Sequence, residues 1–494
     1  MNATQGSEVD SSPWCAVIFK DELLMVMEHP LTDPAEWATA QFGCADLGDQ
    51  RRTKRLVKLA TQIAADSMAS LPDQTESWGD LKAAYRLFDS DDVTFEAVVT
   101  PHWQNTCACG PGRFLVLSDT TELDFGGLRQ IEGVGPVGSG SGKGFLLHNA
   151  LMVHPNSQAV LGLAGQELFC RKPAPQGETD TERRNRDRES QVWGRLIEKI
   201  GPPPPGAQFI HVMDRGADNF EVFCRAQRQQ CDWVVRLKSL DRRARDAQGR
   251  ERTLKEILDE ATPSCCYELW LRARPGKPAR MARLEVSFVP VTLLVPRHQP
   301  ASLKALAPEP ISGWMVQVRE VSVPKGVEPI DWVLFTSLEV EAVEAALMVI
   351  NYYDARWGVE DFHKALKTGC NIERRQLHTG ERLAPLVGLM SVQAVRLLQL
   401  KMVARLEPER PTAEIVPQRY VCLLERHRKM LPGSLGRVGQ FFRAVAKLGG
   451  FLGRKGDGEP GWHTIWRGWE KLYGMIRGAD LVAESAALTG RECG

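Results

Sequence analysis

Two aspartates stand where short buried strands are predicted to end. An apolar run at residues 114–117 leads into Asp119, and a second run at residues 209–213 leads into Asp214. Ligands and reactive groups gather at the carboxyl ends of strands in open α/β sheets, because a carboxylate there reaches a cleft while the core holds its strand. An aspartate also follows a strand simply to start a turn, so neither residue alone predicts a site.

A third acidic residue lies in a spaced set of chemically active side chains. The set combines an aromatic hydroxyl, a guanidinium, a carboxylate and an ammonium at offsets of 0, 3, 7 and 14 residues, and it comprises Tyr353, Arg356, Glu360 and Lys367. At about 100° per residue, a continuous helix would place all of them on one face. A solvated helix face is the alternative, although Glu360 and Lys367 are too far apart for an i,i+4 ion pair.

This spacing carries a family resemblance. Tyr353-x2-Arg356-x3-Glu360-x6-Lys367 matches the Y-R-E-K signature of DDE-type transposases of bacterial cut-and-paste insertion sequences. Other matches follow in the order of the family's motifs: residues 47–56 resemble its DNA-binding helix, 119–121 its first catalytic motif and 214–218 its second. The sequence is similar to the transposase of the composite kanamycin-resistance transposon from about residue 36 to the C-terminus. Gly216 departs from that pattern, since a glutamate stands there in the relative.

The resemblance implies a metal-dependent DNA-cleaving site. Asp119, Asp214 and Glu360 would be catalytic and would bind two Mg²⁺ ions, with Mn²⁺ able to substitute. Mg²⁺ prefers hard oxygen ligands and keeps several waters, so a few carboxylates and a substrate phosphate are sufficient. One site would then nick DNA, form and open a hairpin on the transposon end, and join that end to target DNA. Without metal, the clustered carboxylates repel one another, which predicts a loose or partly protonated site.

The same resemblance implies a set of DNA contacts around the metal site. Tyr353, Arg356 and Lys367 would hold phosphates near the cleaved end, where arginine offers a fork and lysine a point charge. Arg236 and Lys238, at the end of a predicted strand, are further expected DNA contacts.

Trp332 matches the family tryptophan that stacks on a flipped base of the hairpin. Stacking of a base on an aromatic side chain is worth about 1–3 kcal/mol, which is sufficient to hold a base outside the helix. A tryptophan packed in the core of a strand is an equally good interpretation of the sequence alone.

The elements that position these residues predict an α/β protein with helical ends. The family resemblance implies that this α/β part is a ribonuclease-H-like catalytic core, interrupted by the β-rich insertion and flanked by helical N- and C-terminal domains. The predicted divisions are a leader (1–33), a helical DNA-binding domain (34–105), the first part of the core (113–238), the insertion (239–330), the second part of the core (331–400) and a helical dimerisation region (401–494). Arg51, Arg52 and Arg55 lie on the DNA-binding helix. The expected partners are terminal-repeat and target DNA and a second copy of the chain.

Bulk composition restricts the function classes. The 494 residues have a formal net charge of zero, so a DNA-binding protein of this composition must gather its basic residues locally. Such clusters occur at residues 51–58, 242–252, 272–283, 374–375 and 426–429. The polar, acidic N-terminus and the absence of a long uncharged apolar run predict a cytoplasmic protein, associated with the nucleoid when bound to DNA, without a membrane partner.

Two other functions share most of these features. A transposase-derived regulator would bind transposon ends without cutting them, and the complete acidic triad argues against it. A ribonuclease-H-like nuclease would cleave DNA without joining ends, which a joining assay with a pre-cleaved end distinguishes.

Overall fold

The computed structural model describes residues 33–126, 131–172, 175, 177–186, 188–271, 278–454 and 457–489. The predicted leader therefore lies outside the described residues except for Asp33. The carboxylate of Asp33 accepts hydrogen bonds from the backbone N–H groups of Ala35 and Glu36, so this residue caps the first helix.

The N-terminal region is helical, as predicted. Its helices are α1 (Pro34–Phe42), α2 (Gln50–Ala65), α3 (Leu71–Gln74), α4 (Trp78–Phe88) and α5 (Phe95–Cys107). Asp49 caps the start of α2 by accepting a hydrogen bond from the backbone of Arg51. Leu56, Leu59 and Ile63 recur on one side of α2 and are buried, which leaves its basic side chains on the outer surface.

The core is a mixed sheet covered by helices. Its first strands are β1 (Gly112–Asp124), β2 (Gly135–Val137), β3 (Gly142–Val153), β4 (Val160–Phe169), β5 (Ala207–Met213) and β6 (Asp232–Arg236). The helices between them are α6 (Asp180–Asn185), α7 (Val192–Ile200) and α8 (Phe220–Arg228). β1, β5 and β6 are parallel neighbours, and β3 pairs antiparallel with β1 on the other side. Parallel strands need both faces covered, which explains their continuous apolar runs.

The region predicted as a β-rich insertion extends the same sheet. It contains β7 (Arg243–Arg245), β8 (Glu251–Thr253), α9 (Leu254–Asp259), β9 (Cys265–Leu271), β10 (Arg280–Leu293), α10 (Ala301–Ala305) and β11 (Ile311–Val321), and it is followed by β12 (Asp331–Thr336). In the described part of the chain the order is β2-β3-β1-β5-β6-β12-β11-β10-β7-β8, with β4 on β3 and β9 on β10. Because β12 pairs with β6, the insertion is continuous with the core.

The helix that carries the spaced set is interrupted, so its four members do not share one continuous helix. The structure has α11 (Val343–Asp354), α12 (Trp357–Lys364) and then a π-helical turn (Ala365–Gly369). Between α11 and α12 the backbone N–H of Arg356 bonds to the carbonyl of Tyr353, three residues back. Because the helical pitch changes, Lys367 lies on the π-helical turn, whereas Tyr353 lies on α11 and Glu360 lies on α12.

The C-terminal region is helical, as predicted. It comprises α13 (Gly380–Leu406), α14 (Gln418–His427), α15 (Val438–Leu448) and α16 (Trp462–Thr489). α13 runs through the predicted division between residues 400 and 401. This helix is long and apolar enough to cross a membrane by composition, but 89% of its most apolar window is buried inside the protein. It is therefore an apolar helix packed inside the protein.

Candidate active site

Asp119 and Asp214 lie at the same end of neighbouring parallel strands. Pairing between β1 and β5 ends at Leu117 and Val212. Asp214 directly follows β5, whereas β1 continues past Asp119 because it stays paired with β3. The predicted end of this strand at Asp119 is thus wrong, but the aspartate still lies just beyond the region where the two parallel strands are paired.

The side chain of Asp214 is fixed by the turn that follows it. Its Oδ1 accepts a hydrogen bond from the backbone N–H of Gly216 at 2.7 Å. Asp214 thereby caps the 3₁₀ turn that follows β5. A Cβ atom on Gly216 would lie 2.9 Å from Asp214 Oδ1 and 3.0 Å from the ring of Trp193. Glycine therefore allows Trp193 to pack against this turn without displacing the carboxylate.

Arg356 bridges the other two carboxylates. Its Nη1 donates to Asp119 Oδ2 at 3.0 Å, and its Nη2 donates to Glu360 Oε1 at 3.1 Å. The side chain of Arg356 is 10% exposed, compared with 21% for Asp119 and 34% for Glu360. The three groups thus form an ion-paired cluster at the edge of the core. The sequence predicted Arg356 as a phosphate contact and gave no indication of this bridge.

The electrostatics of the cluster follow from its burial. Burial raises the pKa of the Asp119 carboxyl to about 6; Arg356 opposes this shift, and repulsion from Asp214 and Glu360 adds to it. Asp214 and Glu360 are therefore both close enough to Asp119 to influence its carboxyl. The Asp119 carboxyl therefore binds a proton at a higher pH than an ordinary aspartate does.

These residues fit a divalent cation by their chemistry. Carboxylate oxygens are the hard ligands that Mg²⁺ prefers, and the repulsion at Asp119 is relieved by added positive charge. Within the described ranges, however, no three His, Cys, Asp or Glu side chains are already arranged as a metal-binding group. Arg356 supplies the positive charge between Asp119 and Glu360 instead.

Aromatic and basic residues form one group beside the carboxylates. The rings of Trp332 and Tyr353 meet edge to face with centroids 5.2 Å apart, and the guanidinium of Arg236 lies 5.9 Å from the ring of Trp332. Arg236 also donates to the carbonyl of Asp331 at 3.0 Å. Trp332 is half-buried and Lys238 is exposed. Pairing of β12 with β6 brings these sequence-predicted residues together.

Lys367 forms an ion pair with an acidic residue that the sequence motifs do not indicate. Its Nζ lies 3.4 Å from Oε1 of Glu373, and the same oxygen accepts a hydrogen bond from the backbone N–H of Asp124. Glu373 therefore connects the π-helical turn that carries Lys367 to the end of β1.

The arginines of α2 are paired with local carboxylates. Arg51 lies 2.8 Å from Asp49, and Arg55 lies 2.8 Å from Asp80. Arg52 forms an ion pair with an aspartate in the segment between α4 and α5. The side chain of Arg51 is exposed, whereas those of Arg52 and Arg55 are partly buried.

One of the predicted basic clusters contains a buried arginine. Arg375 is buried and donates to the carbonyls of Ala69 and Cys370 and to the side chain of Gln74. This arginine fixes the N-terminal helices to the core, so the prediction of a DNA-binding cluster at residues 374–375 is wrong for this member. The first part of the cluster at residues 272–283 lies outside the described residues.

Three family models match the chain in sequence order. A model described as transposase DNA-binding matches residues 34–93, one described as transposase DDE domain matches residues 185–390, and one described as transposase Tn5 dimerisation domain matches residues 392–490. The combination defines a DNA transposase whose DDE domain implies a ribonuclease-H-like core and metal-dependent cleavage of DNA. The dimerisation model makes it more specifically a Tn5-like transposase. Asp214 and Glu360 lie within the matched DDE segment, whereas Asp119 precedes it.

Proposed function

We propose that this transposase moves DNA by a cut-and-paste reaction at a site formed by Asp119, Asp214 and Glu360. The observation that carries this proposal is their convergence: β1, the end of β5 and α12 bring the three carboxylates close enough for Asp214 and Glu360 to influence Asp119, and Arg356 bridges Asp119 and Glu360. Such a cluster is costly for the metal-free protein and suits binding of divalent cations.

The three carboxylates would hold two Mg²⁺ ions, for which Mn²⁺ substitutes. When bound, these ions supply charge stabilisation to both the attacking and the leaving oxygens of the phosphodiester. The strand positions of Asp119 and Asp214 and the helix position of Glu360 orient their oxygens before DNA binds. Preorganised ligands on rigid elements are what an in-line displacement requires.

Arg356 changes partners in this proposal. In the structure its guanidinium is shared between Asp119 and Glu360. Once cations neutralise these carboxylates, the fork of Arg356 is available to a phosphate beside the cleaved bond, together with Tyr353 and Lys367. Lys367 would exchange Glu373 for phosphate in the same way, because their pair is only partly buried.

Trp332 would stack on a base turned out of the duplex. The half-buried ring is steadied by its edge contact with Tyr353 and has Arg236 near its face. A tryptophan held in this way needs little reordering before it meets a base. Arg236 and the exposed Lys238 would contact phosphates on the same side.

The proposed reaction is a sequence of phosphoryl transfers. In the first step a water oxygen bonds to phosphorus and the bond to the 3′ oxygen breaks, which releases a 3′-hydroxyl. That hydroxyl attacks the opposite strand to form a hairpin, a second water opens the hairpin, and the regenerated 3′-hydroxyl attacks target DNA. Each attack displaces one oxygen of a phosphodiester, so one site serves all four steps.

The domain order supports assembly on two transposon ends. α2 would bind the terminal repeat through Arg51, Arg52 and Arg55, and the C-terminal helices would join two copies of the chain into a synaptic dimer. We place this activity in the cytoplasm, on the nucleoid.

The test is incubation of the protein with flanked terminal-repeat DNA and Mg²⁺, with products resolved on a denaturing gel. Hairpin ends and, with added target, joined products are expected, and both should vanish in Glu360→Gln while end binding persists. Binding without cleavage in Mg²⁺ or Mn²⁺ would replace the proposal with a DNA-binding regulator. Cleavage without joining of a pre-cleaved end would replace it with a nuclease.

A further inference from the structure

A buried asparagine lies directly beside the first catalytic aspartate. Asn149 on β3 is the register partner of Asp119 on β1, and it is completely buried. Side chains of directly opposed residues in an antiparallel pair point to the same face of the sheet with Cβ atoms about 4.5–5.5 Å apart. α12 packs on β1 and β3. Asn149 is therefore at the contact between the strand of Asp119 and the helix of Glu360.

The amide of Asn149 makes hydrogen bonds on both of its ends. Its Nδ2 lies 3.1 Å from Nε2 of His363 and donates to the carbonyl of Leu147 at 3.1 Å. Its Oδ1 accepts from Gln166 Nε2 at 2.6 Å. A buried amide with this many partners has one favourable orientation, because any other leaves polar groups unpaired in the core.

His363 carries the connection to the catalytic helix. It follows Glu360 by three residues on α12, and residues at this spacing lie on the same side of a helix. Burial lowers the pKa of His363, and the cations Lys367 and Arg356 lower it further, so its ring is neutral at pH 7. A neutral ring can accept the hydrogen bond from Asn149 through Nε2.

We propose that Asn149 is a positioning residue that sets the separation of the Asp119 and Glu360 carboxylates through its hydrogen bond to His363. It touches neither substrate nor metal. One end of the connection is the strand neighbour of Asp119, and the other is a single turn from Glu360. This inference rests on the proposed function, since it assigns a purpose to the distance between two proposed metal ligands.

The separation matters because Mg²⁺ demands nearly ideal octahedral geometry at about 2.0–2.1 Å from each oxygen. Groups that orient metal ligands typically alter metal affinity or activity by about 10–100-fold when they are removed. Mn²⁺ uses the same carboxylate ligands and tolerates a distorted site better. Loss of the connection should therefore affect Mg²⁺ more than Mn²⁺, which a loss of general stability would not do.

The experiment compares Asn149→Leu and His363→Leu with His363→Gln, which retains an acceptor for Asn149. The matched control is Gln399→Leu, which removes an amide that ties α13 to the carbonyls of Val160 and Leu161 on β4, away from the carboxylates. For each protein, Mn²⁺ affinity of the metal-free chain is measured by EPR titration. Cleavage of terminal-repeat DNA is measured in Mg²⁺ and in Mn²⁺, and the melting temperature is recorded.

Both leucine variants should bind Mn²⁺ more weakly, and their Mg²⁺ cleavage rates should fall by about 10–100-fold with partial recovery in Mn²⁺. The double variant should lose no more than the worse single variant, because both break one connection. His363→Gln and Gln399→Leu should keep the wild-type ratio of the two rates. Wild-type Mn²⁺ affinity in both leucine variants, or additive losses in the double variant, would overturn the inference. The Mn²⁺ affinity measurement tests the inference even if the wild type does not cleave DNA. Absence of cleavage by the wild type would count against the proposed function alone.

Discussion

Arginines form ion pairs with carboxylates in two regions of this transposase, at the proposed active site and on α2, and the two environments differ. The side chain of Arg356 is 10% exposed and bridges two acids on different elements. The side chain of Arg51 is 90% exposed and pairs with Asp49 two residues away. Surface ion pairs contribute about 0–1 kcal/mol, whereas removing one partner of a buried pair leaves an uncompensated charge and is much more costly.

In the proposed function, this difference corresponds to two ways of preparing a surface for DNA. On α2, we expect the local ion pairs to give way to phosphates when DNA binds, because surface ion pairs are weak. At the active site, a buried pair holds strand and helix together in the absence of cations. Loss of a single charge should therefore be severe in one region and mild in the other.

The largest effect is expected from Arg356→Gln. The change leaves Asp119 and Glu360 without their shared cation and removes a proposed phosphate contact, so the cleavage rate should fall on the order of 100-fold. Arg356→Lys should recover little, since an ammonium cannot bridge two acids as a fork does. Arg319→Gln, which breaks a more exposed pair with Glu285 on the insertion, is the control. A cleavage rate of Arg356→Gln within about threefold of the wild-type rate would contradict the role proposed for Arg356.

A smaller loss is expected from Gly216→Ala. The added Cβ would meet Asp214 Oδ1 and the ring of Trp193, so the carboxylate must shift. A displacement of this kind should lower the cleavage rate by roughly 10–100-fold with unchanged binding of terminal-repeat DNA. Gly140→Ala, at a position with open space around it, is the matched control. Equal rates for the two variants would show that the turn tolerates a side chain.

The pH dependence should report the burial of Asp119. Its folded pKa of about 6 lies above the ordinary 3.8, so between these values the native state binds more protons than the unfolded state. Stability of the metal-free protein should therefore fall by about 1–3 kcal/mol as pH rises from 4 to 6. Asp119→Asn should remove this slope, as measured by denaturant unfolding. Mg²⁺ affinity should fall below about pH 6, and identical pH profiles for variant and wild type would contradict the assignment.

The smallest effect is expected on α2. The carboxylate of Asp80 forms ion pairs with both Arg55 and Lys58. These two cations hold the pKa of the Asp80 carboxyl below its usual range. Asp80→Asn should free these cations and strengthen DNA binding a few-fold at low salt. Arg55→Gln should weaken binding and reduce the log–log salt slope by about 0.9 if it contacts one phosphate. A salt slope unaffected by Arg55→Gln would exclude it from the interface.

Much of this architecture is readable from the sequence because it depends on local patterns. Apolar runs indicate the strands that precede Asp119 and Asp214, and amphipathic spacing indicates α2. The β character of the insertion is also visible. Its continuity with the core sheet is not, because pairing of β12 with β6 joins segments about a hundred residues apart and leaves no local signal.

Several of the missed features arise from contacts between segments that are distant in the sequence. β1 runs past Asp119 because β3 continues to pair with it. In the sequence, Asn149 and His363 look like unrelated polar residues, and only the packing of α12 on the sheet brings them together. The bridge from Arg356 to Asp119 likewise joins residues that are 237 positions apart in the sequence. A motif gives the order of functional residues, whereas the fold determines their partners.

The central claim is that Asp119, Asp214 and Glu360 act as one catalytic unit. The most direct measurement is the cleavage rate of flanked terminal-repeat DNA for Asp119→Asn, Asp214→Asn, Glu360→Gln and the triple variant, with end binding measured alongside. The account predicts that each single variant loses nearly as much activity as the triple variant while binding persists, because residues that act as a unit are strongly non-additive. A single variant that retains substantial cleavage in Mg²⁺ would contradict it.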